Sequence, residues 1–229
     1  MLRKFLTQLE LILSTYQNKF PVIAIDGTAS SGKGTLAKKL AVFFGFDHLD
    51  SGMLYRIYAH EVLKNKIQEV DKIDINIELF NDKTLYESKN LRSELVSKTA
   101  SKIAKNEFVR KQLINLQRHF ADKPPSRKGS VIDGRDITSV IVPNAEVKFY
   151  IDASLEKRAK RRQIQLNLPE KEYEKVFYEM KTRDYNDKNR ENCPLIQTKD
   201  SLYIDTSNIS EKMVLDIAIK EVKKKIDFI

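Results

Sequence analysis

The chain has 229 residues, 41% of them hydrophobic and 32% charged, with a net charge of +9. That composition suits a soluble globular protein with a sizeable core, and no apolar run reaches the length needed to span a bilayer. A lone cysteine, Cys193, excludes an internal disulfide and fits a reducing, cytoplasmic setting, and three histidines without metal-ligand spacing predict no metal site built by the protein. The +9 charge leaves two classes open, a nucleic-acid binder and an enzyme that handles several phosphates. The arginines favour the second, since they fall in short separate motifs and not in a basic tail.

At the N-terminus Phe5, Leu9, Ile12 and Tyr16 recur at helical spacing, which predicts an amphipathic helix packed on the protein body and neither a secretory signal nor a membrane anchor. A strand at Val22–Ile25 follows. It leads into Gly27-Thr28-Ala29-Ser30-Ser31-Gly32-Lys33-Gly34-Thr35, which opens a helix over Lys33–Phe44 that Gly45 ends. Strand, glycine-rich turn and helix form the setting of a phosphate-binding loop. Glycines admit backbone N–H groups close to phosphate oxygens, the helix N-terminus adds partial positive charge, and Lys33 supplies a full one. Three of the seven glycines lie in these nine residues, and the competing reading is a turn with no ligand. Gly34 stands where the common pattern has a Ser or Thr ligand for Mg²⁺, so the ion is expected to ride on ATP phosphates and water.

A second strand, Phe46–Leu49, leads into Asp50-Ser51-Gly52-Met53-Leu54-Tyr55-Arg56 and a helix over Met53–Lys64. One turn of helix brings Ser51 and Arg56 toward a common phosphate; the motif fits equally well an N-capped helix with a surface arginine. Residues Gln68–Asn90 are polar, without period, and are expected at the surface. A helix is expected over Ser93–Phe120.

The strand Ser130–Ile132 runs into Asp133-Gly134-Arg135-Asp136, where a planar guanidinium at a strand's carboxyl end is placed for bidentate phosphate recognition. The alternative is a turn with a local Arg–Asp pair. Val147–Ile151 is the fourth strand, followed by a helix over Ser154–Leu168 bearing Lys157-Arg158-Ala159-Lys160-Arg161-Arg162. Such a run is usually a solvated helix face. Beside a phosphate loop it suits cations that close over a transferring group. A helix over Glu170–Asn189 carries Arg183-Asp184-Tyr185-Asn186-Asp187-Lys188-Asn189-Arg190, whose spacing also fits plain ion pairing along one face. Leu202–Ile204 is the last strand, and Ser210 is a candidate N-cap for a helix ending at Lys225. The alternation predicts an α/β fold, a five-stranded parallel sheet flanked by helices, with its site at the carboxyl ends of the strands.

Together these motifs resemble the bacterial cytidylate kinases, from about Val22 to about Lys220. The likeness rests on residues 25–35, Leu49–Arg56, Asp133–Asp136 and Arg183–Arg190. It implies one P-loop kinase domain over residues 1–229, with an N-terminal extension at 1–21, a CMP-binding insert near 51–125 and a mobile lid near 153–182. By resemblance, Ser51, Arg56, Arg135 and Arg190 hold the CMP phosphate or its surroundings. Ser101, Arg110 and Asp136 face cytosine, Arg183 and Asp187 face the sugar, and Arg158 and Arg162 are lid arginines acting with Lys33. The implied reaction is ATP with CMP or dCMP giving ADP and the diphosphate, with Mg²⁺ carried by ATP, by a monomer that binds neither nucleic acid nor membrane. The rivals are a kinase on the same fold acting on UMP, AMP or a non-nucleotide, and a nucleic-acid-binding P-loop protein.

Overall fold

In the computed structural model, which describes residues 20–67 and 88–227, the first described element is a strand, β1 (Val22–Gly27), buried along its whole length. Helix α1 (Lys33–Phe44) follows, and Gly45 closes it in the left-handed conformation (φ 67°), its N–H reaching back to Ala41 and Val42. Strand β2 (Asp47–Asp50) passes directly into α2 (Ser51–Lys64), whose first turn is capped by the Asp50 carboxylate accepting from the Met53 N–H. Helices α3 (Glu94–Ile103) and α4 (Glu107–Asp122) come next. Strands β3 (Ser130–Gly134) and β4 (Val147–Asp152) enclose a single π turn at Ile137–Ile141. Helix α5 (Leu155–Gln165) turns back into α6 (Tyr173–Asn189), and the chain finishes with β5 (Leu202–Asp205) and α7 (Glu211–Lys225).

The strands form one parallel five-stranded sheet in the order β2-β3-β1-β4-β5. The central strands β1, β3 and β4 are buried along nearly all of their length, as strands covered on both faces must be, and their middles are apolar apart from Lys148. Ile23 and Ile25 of β1, Phe149 and Ile151 of β4, Leu36 and Leu40 of α1, and Val214 and Ala218 of α7 share one buried cluster. A smaller cluster joins Ala29 of the glycine-rich loop to Ala159 of α5 and Val176 and Met180 of α6.

The expected helix over Ser93–Phe120 is two helices. Asn106 breaks it, its side-chain oxygen accepting from the Val109 N–H (3.1 Å) to cap α4, while Ala104 closes α3. Arg190 likewise falls outside α6 as its C-terminal cap residue, in extended conformation. The chain divides into two compact units, Met1–Leu49 with His119–Ile229, and Asp50–Arg118. The crossings fall at the junction of β2 with α2 and inside α4, within continuous regular structure, so neither leaves a mark in composition. The predicted N-terminal helix (1–16) and most of the predicted surface stretch (68–87) lie outside the described residues. Among the described residues no helix is long and apolar enough to cross a membrane.

Candidate active site

The larger unit gathers its functional side chains at the carboxyl ends of β1, β3 and β4. At Gly27, where β1 ends, a Cβ would sit 2.0 Å from the Ile151 carbonyl oxygen, so only glycine lets the loop leave the sheet this close to β4. Thr28 is fully buried and donates through its hydroxyl to Asp152 Oδ1 (2.5 Å), while the Ser31 hydroxyl and Lys33 Nζ both donate to the Thr28 carbonyl (3.0 and 3.2 Å). Helix α1 opens at Gly32, in the left-handed region (φ 93°), without a side-chain cap, whereas side chains of Asp50, Ser93, Ser154 and Ser210 cap α2, α3, α5 and α7. Its first-turn N–H groups are the natural partners of an anion. Ala29 is buried, Thr35 is exposed, and Ser30 adopts positive φ (58°) within the loop.

Asp26, one residue before the loop, is fully buried. Its carboxylate accepts from the N–H groups of Ile137 (2.9 Å) and Thr138 (2.7 Å) and from the Thr138 hydroxyl (2.7 Å). It thereby anchors the π turn that begins straight after Asp136, and so fixes the exit of the Asp-Gly-Arg-Asp motif. Burial pushes its carboxyl up to about 6, Thr138's hydroxyl opposes that, and the neighbouring Asp136 charge adds to it.

Four arginines, Arg135, Arg158, Arg183 and Arg190, meet four carboxylates, Asp136, Asp152, Asp184 and Asp187, around this end of the sheet. Arg135 donates through Nε to Asp187 Oδ2 (2.9 Å) and through Nη1 to the Gly134 carbonyl (3.1 Å). Burial opposes Arg135's charge, but Asp187, with Asp133 and Asp184 behind it, outweighs burial and holds the guanidinium above its ordinary value. For Asp187, burial acts upward, and Arg135, then Arg183 and Arg190, more than cancel it, leaving the carboxyl below the usual range. Arg183 Nε lies 3.8 Å from Asp187, and Arg190 Nη2 lies 3.3 Å from Asp136 Oδ1, close enough for an ion pair but not aligned for a hydrogen bond. Arg190 Nε donates to the Cys193 carbonyl. Arg158 is buried, donating to the carbonyls of Ala153 (2.7 Å) and Ala29 (3.4 Å) and pairing with Asp184 (2.6 Å). Arg162 is partly exposed and donates to Gln165 Oε1 (3.0 Å). Asp184 Oδ1 and Arg190 Nη2 are buried without a hydrogen-bond partner among the described residues, as expected where a polar ligand or water completes a site.

At the end of β3, Asp133 Oδ1 pairs with His48 Nε2 (2.8 Å), and its Oδ2 faces Gly34, 3.6 Å from where a Cβ would stand. Among the described residues no cluster of three or more His, Cys, Asp or Glu side chains is placed to hold a metal ion.

The smaller unit holds the remaining predicted residues. Ser51 is buried and donates to Gln117 Oε1 (2.7 Å). Arg56 reaches the Leu91 carbonyl (2.9 Å) and the Ser97 hydroxyl (2.7 Å). Arg110 is buried beside the Tyr55 hydroxyl (3.4 Å) and the Ala104 carbonyl (3.4 Å). Ser101 lies on α3 and Arg110 on α4, so the two belong to different helices.

The sequence profile of the cytidylate kinases, "Cytidylate kinase", matches residues 23–224. The chain belongs to the cytidylate kinase family. With that family it is a kinase, a phosphotransferase. The chain is 40% identical over 200 residues to the cytidylate kinase of Bartonella bacilliformis, covering 82% of this chain and 88% of that one. It is 38% identical over 206 residues to the cytidylate kinase of Paramagnetospirillum magneticum, covering 86% and 95%. A solved structure of an uncharacterised protein from Eubacterium ventriosum superposes with a TM-score of 0.51 at 18% identity, over 89% of this chain and 98% of that one, a likeness of fold.

Several residues that build the site were missed by sequence reasoning. Asp184 and Asp133 stood inside motifs but were assigned no contact. Asp26, Asp152, Ser97, Gln117 and Thr206 carry no local signal, because each acts on a partner more than 40 residues away.

Proposed function

We propose that this chain transfers the γ-phosphoryl group of ATP to CMP and dCMP, as a cytoplasmic monomer, with Lys33, Arg158 and Arg162 acting on the transferring group. The observation that carries the reading is the uncapped helix N-terminus at Gly32–Lys33, set at the same end of the sheet as the Arg135–Asp187 and Arg190–Asp136 pairs. The N–H groups of residues 27–35 and Lys33 Nζ are the matching partners for the ATP phosphates. In the larger unit Arg135, Asp136, Arg183, Asp187 and Arg190 are proposed CMP contacts. In the smaller unit they are Ser51, Arg56, Ser101 and Arg110. Residues near 153–182 form the proposed lid and those near 51–125 the proposed CMP-binding insert.

The acceptor phosphate is already anionic, so the chemistry asks for no general base; positioning and stabilisation of developing charge suffice. Mg²⁺ favours oxygen donors and keeps several waters, and Asp133, a carboxylate facing the start of α1, fits that role. Carried by ATP, the ion would neutralise charge on the β- and γ-phosphates.

An ADP-release assay across CMP, dCMP, UMP, AMP and small non-nucleotide acceptors tests the reading. Turnover should be greatest with CMP. Turnover confined to UMP, AMP or a non-nucleotide would move the chain to another acceptor, and tight, steeply salt-dependent RNA binding without turnover would replace the kinase reading.

A further inference from the structure

Arg161 lies in the basic run of α5, yet the proposed chemistry gives it no part. Its guanidinium grips a single residue with two prongs, Nη1 to Thr206 Oγ1 (2.9 Å) and Nη2 to the Thr206 carbonyl (2.6 Å). Thr206 is buried just beyond β5, and its N–H donates to the Asp152 carbonyl (2.8 Å). Its hydroxyl has one proton to give. With a cationic donor behind it, that proton points forward, to the carbonyl of Ser31 in the glycine-rich loop (2.8 Å). Arg161, the Thr206 hydroxyl and the Ser31 carbonyl are therefore one polarised chain, in which each bond strengthens the next.

The far end of that chain sets a direction. In a trans peptide the carbonyl and the following N–H point opposite ways. Holding the Ser31 carbonyl on Thr206 turns the Gly32 N–H away from Thr206, at the point where α1 opens without a cap. Ser31 is fully buried and tied again by its own hydroxyl to Thr28, so its peptide has little other freedom.

We infer that Arg161 and Thr206 are positioning residues for the donor nucleotide: they aim the Gly32 N–H at an ATP phosphate by pinning the Ser31 carbonyl. This rests on the reading of residues 27–35 as the ATP phosphate site. The run at 157–162 then divides by task, since Arg161 acts through the loop backbone and touches no substrate.

The test measures the ATP dissociation constant and the KM for CMP in Thr206→Val, Thr206→Ser, Arg161→Met, the Val/Met double variant and Lys33→Ala. Thr206→Val and Arg161→Met should each weaken ATP roughly three- to tenfold, the range for one hydrogen bond lost. KM for CMP should stay unchanged, and Thr206→Ser should restore wild-type ATP binding because it keeps the hydroxyl. The double variant should be no weaker than the worse single one, as links of one chain are not additive. Normal ATP affinity in folded Thr206→Val would overturn the inference, as would equal weakening of ATP and CMP with a lowered Tm. If Lys33→Ala loses ATP while Thr206→Val does not, this relay is wrong and the phosphate site stands. If neither loses ATP, the phosphate site itself falls.

Discussion

Asp26→Asn separates charge from shape at the buried carboxylate that anchors the π turn. The folded-state value of about 6 stands above the ordinary 3.8. The fold therefore prefers the neutral carboxyl, and this group's contribution to stability is full below about pH 4 and lost as pH rises through about 6. Between pH 5 and pH 8 those two values make the wild type lose on the order of 1 kcal/mol from Asp26 alone. Asparagine cannot titrate, so the variant lacks that loss. It is also less stable at every pH, by about 1–3 kcal/mol, because its NH₂ group replaces one of the two accepting oxygens and leaves at least one of the three donors without an acceptor. The quantity to read is thus the difference of differences: urea unfolding of both proteins at pH 5 and pH 8. The wild type should lose on the order of 1 kcal/mol more than the variant across that interval. Equal losses would show that burial does not raise this carboxyl, and a smaller loss in the wild type would reverse the sign of the reasoning.

Lys33→Ala should lower kcat on the order of a thousandfold while far-ultraviolet circular dichroism stays unchanged; near wild-type turnover in the folded variant would remove Lys33 from the phosphate site. Cys193→Ser should keep full activity, since Arg190 contacts the Cys193 backbone carbonyl and not the thiol; lost turnover at unchanged Tm would reveal a thiol function. Arg158→Ala should lose both kcat and about 3–5 kcal/mol of stability, because it strands Asp184 in a buried position, whereas Arg162→Ala should lose kcat alone. Matching thermal midpoints for these two variants would contradict the buried pair. Asp136→Ala should depress kcat/KM for CMP roughly tenfold to a hundredfold more than for UMP, as a carboxylate accepts from the cytosine amino group but meets an acceptor in uracil; an unchanged ratio would take Asp136 out of base recognition.

The sheet was legible because most of its strands hold short apolar runs and β2, which is Asp-His-Leu-Asp, follows the helix-ending Gly45; each of the five was found within two residues of its observed ends. The glycine-rich loop was legible for a local reason too: strand, turn and helix sit within about twenty residues and each carries its own signal. Helix α1 was placed at Lys33–Phe44 and found there, with Gly45 as its left-handed end and Ser210 capping α7 as its sequence suggests. The break at Asn106 escaped because apolar residues keep helical spacing across it while one side chain supplies the cap. The carboxylates escaped for a different reason. Asp187 holds Arg135 across 52 residues, Asp184 holds Arg158 from a neighbouring helix, and Asp26 reaches across 111 residues to the backbone of the π turn. Spacing along a chain reports faces of one element, not pairs between elements.

Those pairs decide how the arginines stand ready. A guanidinium has a fixed fork of donors, and holding one edge orients the other without cancelling it. Arg135 is held this way: Nε and Nη1 are engaged by Asp187 and the Gly134 carbonyl, and the rest of the fork is set in direction by the protein. An anion meeting that edge finds a side chain whose rotamer entropy is already spent in the folded state. Arg158 is held differently. Nε, Nη1 and Nη2 are all engaged, by Ala153, Ala29 and Asp184. In this conformation it fastens α5 to the glycine-rich loop, and two of its five N–H donors are left over from these three contacts. Breaking the Arg158–Asp184 pair would strand the Asp184 carboxylate, so the pair is expected to hold while a phosphate comes to the remaining N–H groups. Within the proposed function, Arg135 would offer an edge set before the substrate comes, and Arg158 would count for the rate only so far as its contact strengthens when charge develops on the reacting group, since only that kind of contact lowers the barrier to the chemical step.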